Sequence, residues 1–405
     1  MTLETKLTPE FIAVGALNED YYGPYDLRYR LSAAIQTDLE GRRECLVNDT
    51  QVDKELANVG KAAFGGSTAG GSALNTARTI ESLGLGVRVG FVGVLGGSPD
   101  GVIEAAIKQL DTTLVIRYAD TPPGRCLVFR RGSDTRLLVA PGANVRVEEA
   151  FAQPALTEYL AAARWIHVSS FHHRAALRVL AEAIDRARNL NASLIVSFDP
   201  GDEYTERLRG LDDSTGKEGP PFVEEFLAKC DFVFLNGKEA RNLARVSGRR
   251  RVESRVLGEE IFKVAGERCR LVIVKNRSSH IVFQRRILGT EKVVLVRRWW
   301  HLRIPLVIDD VGAGDVFAGG FIAAHLRPYF VELGKGPSRL GASLVRARLV
   351  AKHGIPFADF KGVTNKQLDI ARRERWNLRD FLAVYGPPAL TFVAGALLGR
   401  LLGGW

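Results

Sequence analysis

The stretch Asp309-Asp310-Val311-Gly312-Ala313-Gly314-Asp315 sets a carboxylate inside what reads as an oxyanion cradle. The apolar run Ile304 to Ile308 leads in and Val316 to Phe321 leads out, so the segment reads as strand, glycine turn and helix start. Glycine lets the backbone approach a ligand closely. The first N–H groups of such a helix, here around Gly312, Ala313 and Gly314, have no partner inside it. They lie at the positive end of the helix dipole, which suits a phosphate. Asp315 adds nothing to an anion site unless it does chemistry, such as taking a proton from an attacking hydroxyl. The plain alternative is a helix N-terminus whose dipole favours an Asp in the first turn. Both readings stand at this point.

Three further clusters have residue types that fit beside it. Phe11 to Gly15 is a short apolar strand, followed by Gly15-Ala16-Leu17-Asn18-Glu19-Asp20. A carboxylate just past a strand's C-terminal end lies where open α/β sheets bind ligands. Asp20 can accept hydrogen bonds from two sugar hydroxyls there, or simply cap a turn. Gly70-Gly71 precedes a helix expected over Ser72 to Leu83, and Asn75 can both donate to and accept from a hydroxyl. A glycine turn without a ligand is the alternative. Asn236 and Glu239 follow the strand Phe232 to Leu235 and share one face of a helix start. Their oxygens can orient Mg²⁺ and its waters, and they can equally form a capping box; the two roles are compatible.

Elements that would carry these residues alternate along the chain. Strands are expected at Val87 to Val94, Trp165 to Ser169, Leu194 to Asp199 and Leu271 to Lys275, with helices over Thr50 to Phe64, Ala175 to Leu190 and Ala342 to His353. The spacing after Ala150 implies βαβ crossovers and a parallel sheet, hence an α/β fold. Arg125 to Arg130 and Arg136 to Val139 flank Gly132-Ser133-Asp134 as a hairpin, with Arg136 expected in a surface salt bridge. His172 and His173 have no partner cluster and read as a non-catalytic pair.

Composition narrows the classes. The 405 residues are 46% hydrophobic and 25% charged, which is globular. The net charge of +10 comes with arginine runs, but no helix-turn-helix, zinc finger or RNA-binding signature accompanies it, so steering of anionic ligands is favoured over specific nucleic-acid binding. Cys45, Cys126, Cys230 and Cys269 are scattered, which argues against a zinc site or disulfide framework and fits a reducing cytoplasm. Met1 to Glu10 has no signal-peptide pattern. There is no Gly-x-x-x-x-Gly-Lys-Ser/Thr, and Gly84-x-Gly86 lies between a helix and a strand, the reverse of a dinucleotide fingerprint.

From Phe11 to about Gly354 the chain resembles the ribokinase-like (PfkB) family of carbohydrate and nucleoside kinases. Asp309 to Asp315 is similar to the family's Asp-Thr-x-Gly-Ala-Gly-Asp signature, with Asp310 in place of Thr. Gly15 to Asp20 matches its Gly-x-x-Asn-x-Asp, Gly70 to Asn75 its Gly-Gly-x-x-x-Asn, Gly142-Ala143-Asn144 its Gly-Ala-Asn, and Asn236 to Glu239 its Asn-x-x-Glu. Gly96 to Gly101 resembles another family signature with altered spacing and reads as structural. The resemblance implies a three-layer α/β/α fold with a central, mostly parallel sheet and a small β lid. The kinase domain would span 1–360, with the lid drawn mainly from about 21–69 and 118–140; the long first lid segment is closer to the nucleoside-kinase branch. It implies transfer of the γ-phosphoryl group of ATP to a hydroxymethyl group of a sugar or nucleoside. Asn18, Asp20, Gly70, Gly71 and Asn75 would hold the substrate. Asp309, Gly312, Gly314, Asn236 and Glu239 would hold ATP, the last two steering Mg²⁺ through water. Asp315 would be the base, with the Gly312, Ala313 and Gly314 N–H groups on the transferring phosphoryl. A monovalent cation and a homodimer are further expectations.

Two departures motivate a second class, a kinase-fold sensor that binds a sugar or nucleotide without turnover. One is Asp310. The other is Asn276 to His280, where the family has a glycine-containing nucleotide segment and where Arg277 is a candidate phosphate contact. Residues 361–405 extend beyond the resemblance, with the basic piece Ala371 to Trp376 before an uncharged run from Phe381 to Gly399. Docking of this tail on the body or on another subunit is expected, with membrane contact through 381–405 as the alternative to a purely cytoplasmic location.

Overall fold

A computed structural model of the chain describes residues 8–41, 43–97, 101–131, 134–169, 176–201, 205, 222–245, 254–275, 279–288, 291–300 and 312–327. Asp309, Asp310, Arg277, the His172–His173 pair, the Ala342 to His353 helix and the 361–405 tail therefore lie outside the described residues. No helix among the described residues is long and apolar enough to cross a membrane.

The strands are β1 (Phe11–Val14), β2 (Asn18–Pro24), β3 (Glu44–Leu46), β4 (Thr68–Gly70), β5 (Val89–Gly96), β6 (Asp111–Tyr118), β7 (Gly124–Arg131), β8 (Asp134–Ala140), β9 (Trp165–Ser169), β10 (Ile195–Asp199), β11 (Phe232–Asn236), β12 (Leu271–Lys275), β13 (Ser279–Leu288) and β14 (Glu291–Trp300). A nine-stranded sheet runs in the order β14-β13-β12-β11-β10-β9-β1-β5-β6. From β12 to β6 neighbours are parallel, and β13 and β14 close the other edge as an antiparallel hairpin.

The parallel strands read as near-continuous apolar runs because both faces are covered. Ile12, Val14, Ile166, Val168, Val196, Val233 and Val272 point to one face, under the helix Ala176–Leu190 and its neighbours. Phe11, Ala13, Trp165, Phe234 and Ile273 point to the other, under the helices Ser72–Ser82 and Ala313–Leu326. This is the expected three-layer α/β/α arrangement.

A second sheet, in the order β3-β8-β7-β2-β4, is the small lid. Its strands β7 and β8 form the expected hairpin. One face packs Tyr21, Leu127, Phe129 and Leu138 under residues of the helix Asp49–Val59 and the turn Lys61–Phe64, among them Val52 and Phe64. Arg136 pairs with Asp134 at 2.7 Å, as the sequence suggested. Two elements were not legible in the sequence. Asn18 to Asp20 is not a loop but the start of β2, because it pairs on both sides, with β4 and β7. The arginine pairs Arg285-Arg286 and Arg297-Arg298 sit on the hairpin β13–β14, where Arg285 is satisfied by the Gly266 and Phe262 carbonyls.

The two helices that flank the future site touch through Gly319. A Cβ there would lie 2.7 Å from Thr79 Cβ and 3.0 Å from the Thr76 carbonyl oxygen. Gly319→Leu is therefore expected to destabilise the chain by about 1–3 kcal/mol through overpacking. Urea unfolding would read this as a lower midpoint, and an unchanged midpoint would show that the two helices do not meet there.

Candidate active site

The site forms where strand ends and helix starts converge. At the C-terminal edge of the sheet, Gly15 follows β1, Ser169 ends β9, Asp199 ends β10, Asn236 ends β11 and Lys275 ends β12. Open parallel sheets bind ligands in the crevice outside this edge. The helix Ala313–Leu326 starts over it. Gly312 is the N-cap with φ +75°, a left-handed conformation that glycine adopts without strain, and it turns the chain into the first turn.

Asp315, in that first turn, is 9% exposed. Asn75 Nδ2 donates to its Oδ2 at 3.0 Å, and Thr76 Oγ1 donates to its backbone carbonyl at 3.3 Å. Burial pushes the Asp315 carboxyl up to about 7; the Asn75 hydrogen bond opposes this, the charge of Asp199 adds to it, and Lys275 and the Ser72 hydroxyl oppose it.

Asn75 lies on the helix Ser72–Ser82, whose N-cap is Gly71. Gly71 has φ +110°, and a Cβ there would strike the Ala16 carbonyl, so this start requires glycine. Gly70 is equally constrained, since a Cβ would fall on the Asp20 carboxylate. The pairing of β2 with β4 sets Asn18 opposite Gly70 and Asp20 opposite Thr68.

Asp20 is buried, with Tyr22 Oη donating to its Oδ2 at 3.3 Å. Burial raises its carboxyl to about 7; the Tyr22 hydroxyl opposes the rise and the charge of Asp315 adds to it. Asp20 Oδ1 and Asn75 Oδ1 are buried without a hydrogen-bond partner among the described residues. Buried polar atoms are almost always satisfied, so two orphan acceptors in one site suit a ligand that brings hydroxyl donors.

Asn236 and Glu239 take the capping-box form. Asn236 Oδ1 accepts from the Lys238 and Glu239 N–H groups at 2.8 and 2.9 Å, and Glu239 Oε2 accepts from the Asn236 N–H at 2.6 Å. Glu239 is 4% exposed. Among the described residues there is no cluster of three metal-ligating side chains.

Asp199 and Lys275 fall in no motif, whereas Asn144 closes the Gly-Ala-Asn match. Asn144, from the Gly-Ala-Asn turn, donates to the Leu17 carbonyl and to Asn18 Oδ1 and accepts from the Leu17 N–H, which pins the β1–β2 link. Asp199 and Lys275 form an ion pair of 2.5 Å under the Gly312 turn. Burial works against the Lys275 ammonium, yet Asp199, Glu239 and Asp315 together hold its pKa above the ordinary value. The available signal was a charged residue closing an apolar strand. His167, deeper in the sheet, is neutral: burial lowers its pKa to about 4, and its Nδ1 meets Ser197 Oγ at 2.8 Å.

A family model described as pfkB family carbohydrate kinase matches residues 46–349. An ATP-dependent ribose-1-phosphate kinase of Halopiger xanaduensis is 29% identical over 272 residues, covering 65% of this chain and 75% of the relative. An uncharacterized sugar kinase of Archaeoglobus fulgidus is 28% identical over 284 residues, 67% of this chain and 94% of the relative. Among solved structures, Anopheles gambiae adenosine kinase in complex with P1,P4-di(adenosine-5) tetraphosphate superposes with a TM-score of 0.65 at 20% identity, covering 87% of this chain and 98% of the other. Ribokinase from Giardia lamblia gives 0.61 at 18%, covering 87% and 96%. These likenesses place the fold as ribokinase-like.

The Asp20 and Asp315 carboxyls both rise from 3.8 to about 7 on folding. Between those values the native chain binds more protons than the unfolded one, so stability falls as pH rises through the window. Asp20→Asn and Asp315→Asn are therefore expected to resist thermal unfolding better than the unsubstituted protein at pH 8, by up to about 4 kcal/mol each. The advantage should fade towards pH 4. An equal difference at both pH values would show carboxyls of ordinary acidity.

Proposed function

Since the chain belongs to the pfkB family of carbohydrate kinases, ATP-dependent phosphotransferases with an alcohol acceptor, we propose that it moves the γ-phosphoryl group of ATP onto a hydroxymethyl oxygen of a sugar or nucleoside, with Asp315 as the base. The observation that carries this reading is the hydrogen bond from Asn75 to Asp315, which ties a substrate-side amide to a carboxylate at the mouth of an N–H cradle. Asp20 and Asn75 orient the acceptor through their free acceptor atoms, with Asn18, Gly70 and Gly71 shaping the wall beside them.

Asp315, its carboxyl raised to about 7, is a carboxylate basic enough to take the hydroxyl proton near neutral pH. As the acceptor oxygen attacks the γ-phosphorus, the bond to the β–γ bridging oxygen breaks and ADP leaves. The N–H groups of the Gly312–Gly314 turn face the charge that develops on the phosphoryl oxygens. Asp309, which the family resemblance assigns to the nucleotide, lies outside the described residues. Mg²⁺ bound with ATP would neutralise phosphate charge, and Asn236 and Glu239 would hold its waters. The lid sheet excludes bulk water, which would otherwise accept the phosphoryl group.

Purified protein with Mg²⁺ and ATP should turn over on one acceptor class from a panel of sugars, sugar phosphates and nucleosides. Asp315→Asn should lower kcat by about 10²–10⁴. The rate of the unsubstituted enzyme should rise with pH through about 7, as the base loses its proton, and level off above it. Binding of sugar or nucleotide without ATP consumption on any acceptor would overturn this reading in favour of a sensor.

A further inference from the structure

We propose that Lys275 holds the γ-phosphoryl group of ATP against the Gly312–Asp315 turn, with Asp199 anchoring its ammonium in place. The proposal rests on the phosphotransfer reading above and adds to it a residue on the nucleotide side.

Lys275 is the last residue of β12 and Asp199 the last of β10, so their side chains meet across the end of β11. The Lys275 Nζ to Asp199 Oδ2 distance is 2.5 Å, with the side chains 14% and 11% exposed. The ammonium sits directly beneath the glycine turn, since a Cβ on Gly314 would lie 3.2 Å from Nζ. Only a residue without a side chain leaves that approach open. An ammonium carries three N–H donors. One is used by Asp199, and no other acceptor is within hydrogen-bond reach among the described residues.

Charge points the same way. Asp199, Glu239 and Asp315 all act on Lys275. Among the described residues, a triphosphate entering this corner without the lysine would face Asp199, Glu239, Asp315 and the N–H groups of the turn. With it, one fixed cation faces the oxygens of the transferred group, where burial makes charge stabilisation more effective than at the surface. A purely structural ion pair accounts for the Asp199 contact but not for the open face towards Gly314. In the transfer step the lysine exchanges no proton: the hydroxyl proton goes to Asp315 and the electron pair of the broken bond to ADP.

Lys275→Met should weaken ATP binding in calorimetry with Mg²⁺ at least about ten-fold, leave ADP binding within about two-fold, and lower kcat/KM for ATP by about 10². Loss of one partner of a buried ion pair threatens the fold, whereas replacing both charges by apolar groups is tolerated far better. Lys275→Met/Asp199→Leu therefore provides the second arm, with the same selective loss of ATP over ADP expected. If ATP and ADP affinities fall together, or neither falls, the lysine is structural and the proposal is overturned. If the unsubstituted protein turns over while these variants keep their preference for ATP, the inference fails and the kinase reading stands. If no acceptor is phosphorylated but the ATP preference still depends on Lys275, the kinase reading fails and the inference stands.

Discussion

The Asn75–Asp315 hydrogen bond, spanning 240 positions of sequence, is the contact on which the site depends. It joins the helix that begins at the substrate wall to the helix that begins at the phosphate cradle. Its length is set by packing rather than by either residue. Gly319 against Thr79 fixes how close the helices come, Thr76 reaches the Asp315 carbonyl, and Gly71 starts one helix in a conformation that only glycine holds without strain. The sheet beneath supplies rigidity: Phe234, Ile273 and Phe317 fill the layer between the strands and the Asp315 helix.

That arrangement gathers charge that opposes burial. Asp315, Asp199 and Glu239 converge on Lys275, the buried cation among the described residues there, and the Asp315 charge reaches Asp20. Burial disfavours the ionised state and a neighbouring like charge adds to it, which is why Asp20 and Asp315 both rise. The consequence is chemical as well as energetic. A carboxyl near 7 is a stronger base than an exposed aspartate, and the stability lost by burying it is supplied by the large apolar core. His167 shows the alternative solution: burial outweighs the charge of Asp199, and it stays neutral.

The opposite edge of the sheet does a different job. Asp231 accepts from Arg188 at 2.6 Å, from Arg270 at 3.0 Å and from the Val196 N–H, and Arg327 binds Glu10 at 2.6 Å, tying the end of the Asp315 helix to the chain before β1. Arg188, Arg270 and Arg327 are thus engaged in ion pairs that join distant parts of the chain. The separation of a stabilising edge from a reactive edge is what a parallel sheet provides, because all its strands end on the same side.

The sequence by itself determined the parts that depend on local rules. Apolar runs of strand length separated by helical periods specify a parallel α/β sheet, and β-branched and aromatic residues need no partner information to be read. Gly312 to Asp315, Gly70-Gly71 and the Asn236–Glu239 box each announce a helix start within a few residues. Tertiary structure alone decided the rest. Asn18 to Asp20 became a strand because two distant segments pair with it, which no local propensity encodes. Asn144 reached Leu17 and Asn18 across a chain separation of more than a hundred positions. Asp199 and Lys275 are ordinary strand-end residues until β10 and β12 are set on either side of β11. Their reach and proximity to Gly314 are properties of position in a low-dielectric crevice, and a sequence carries residue types but not the distances that convert them into a site.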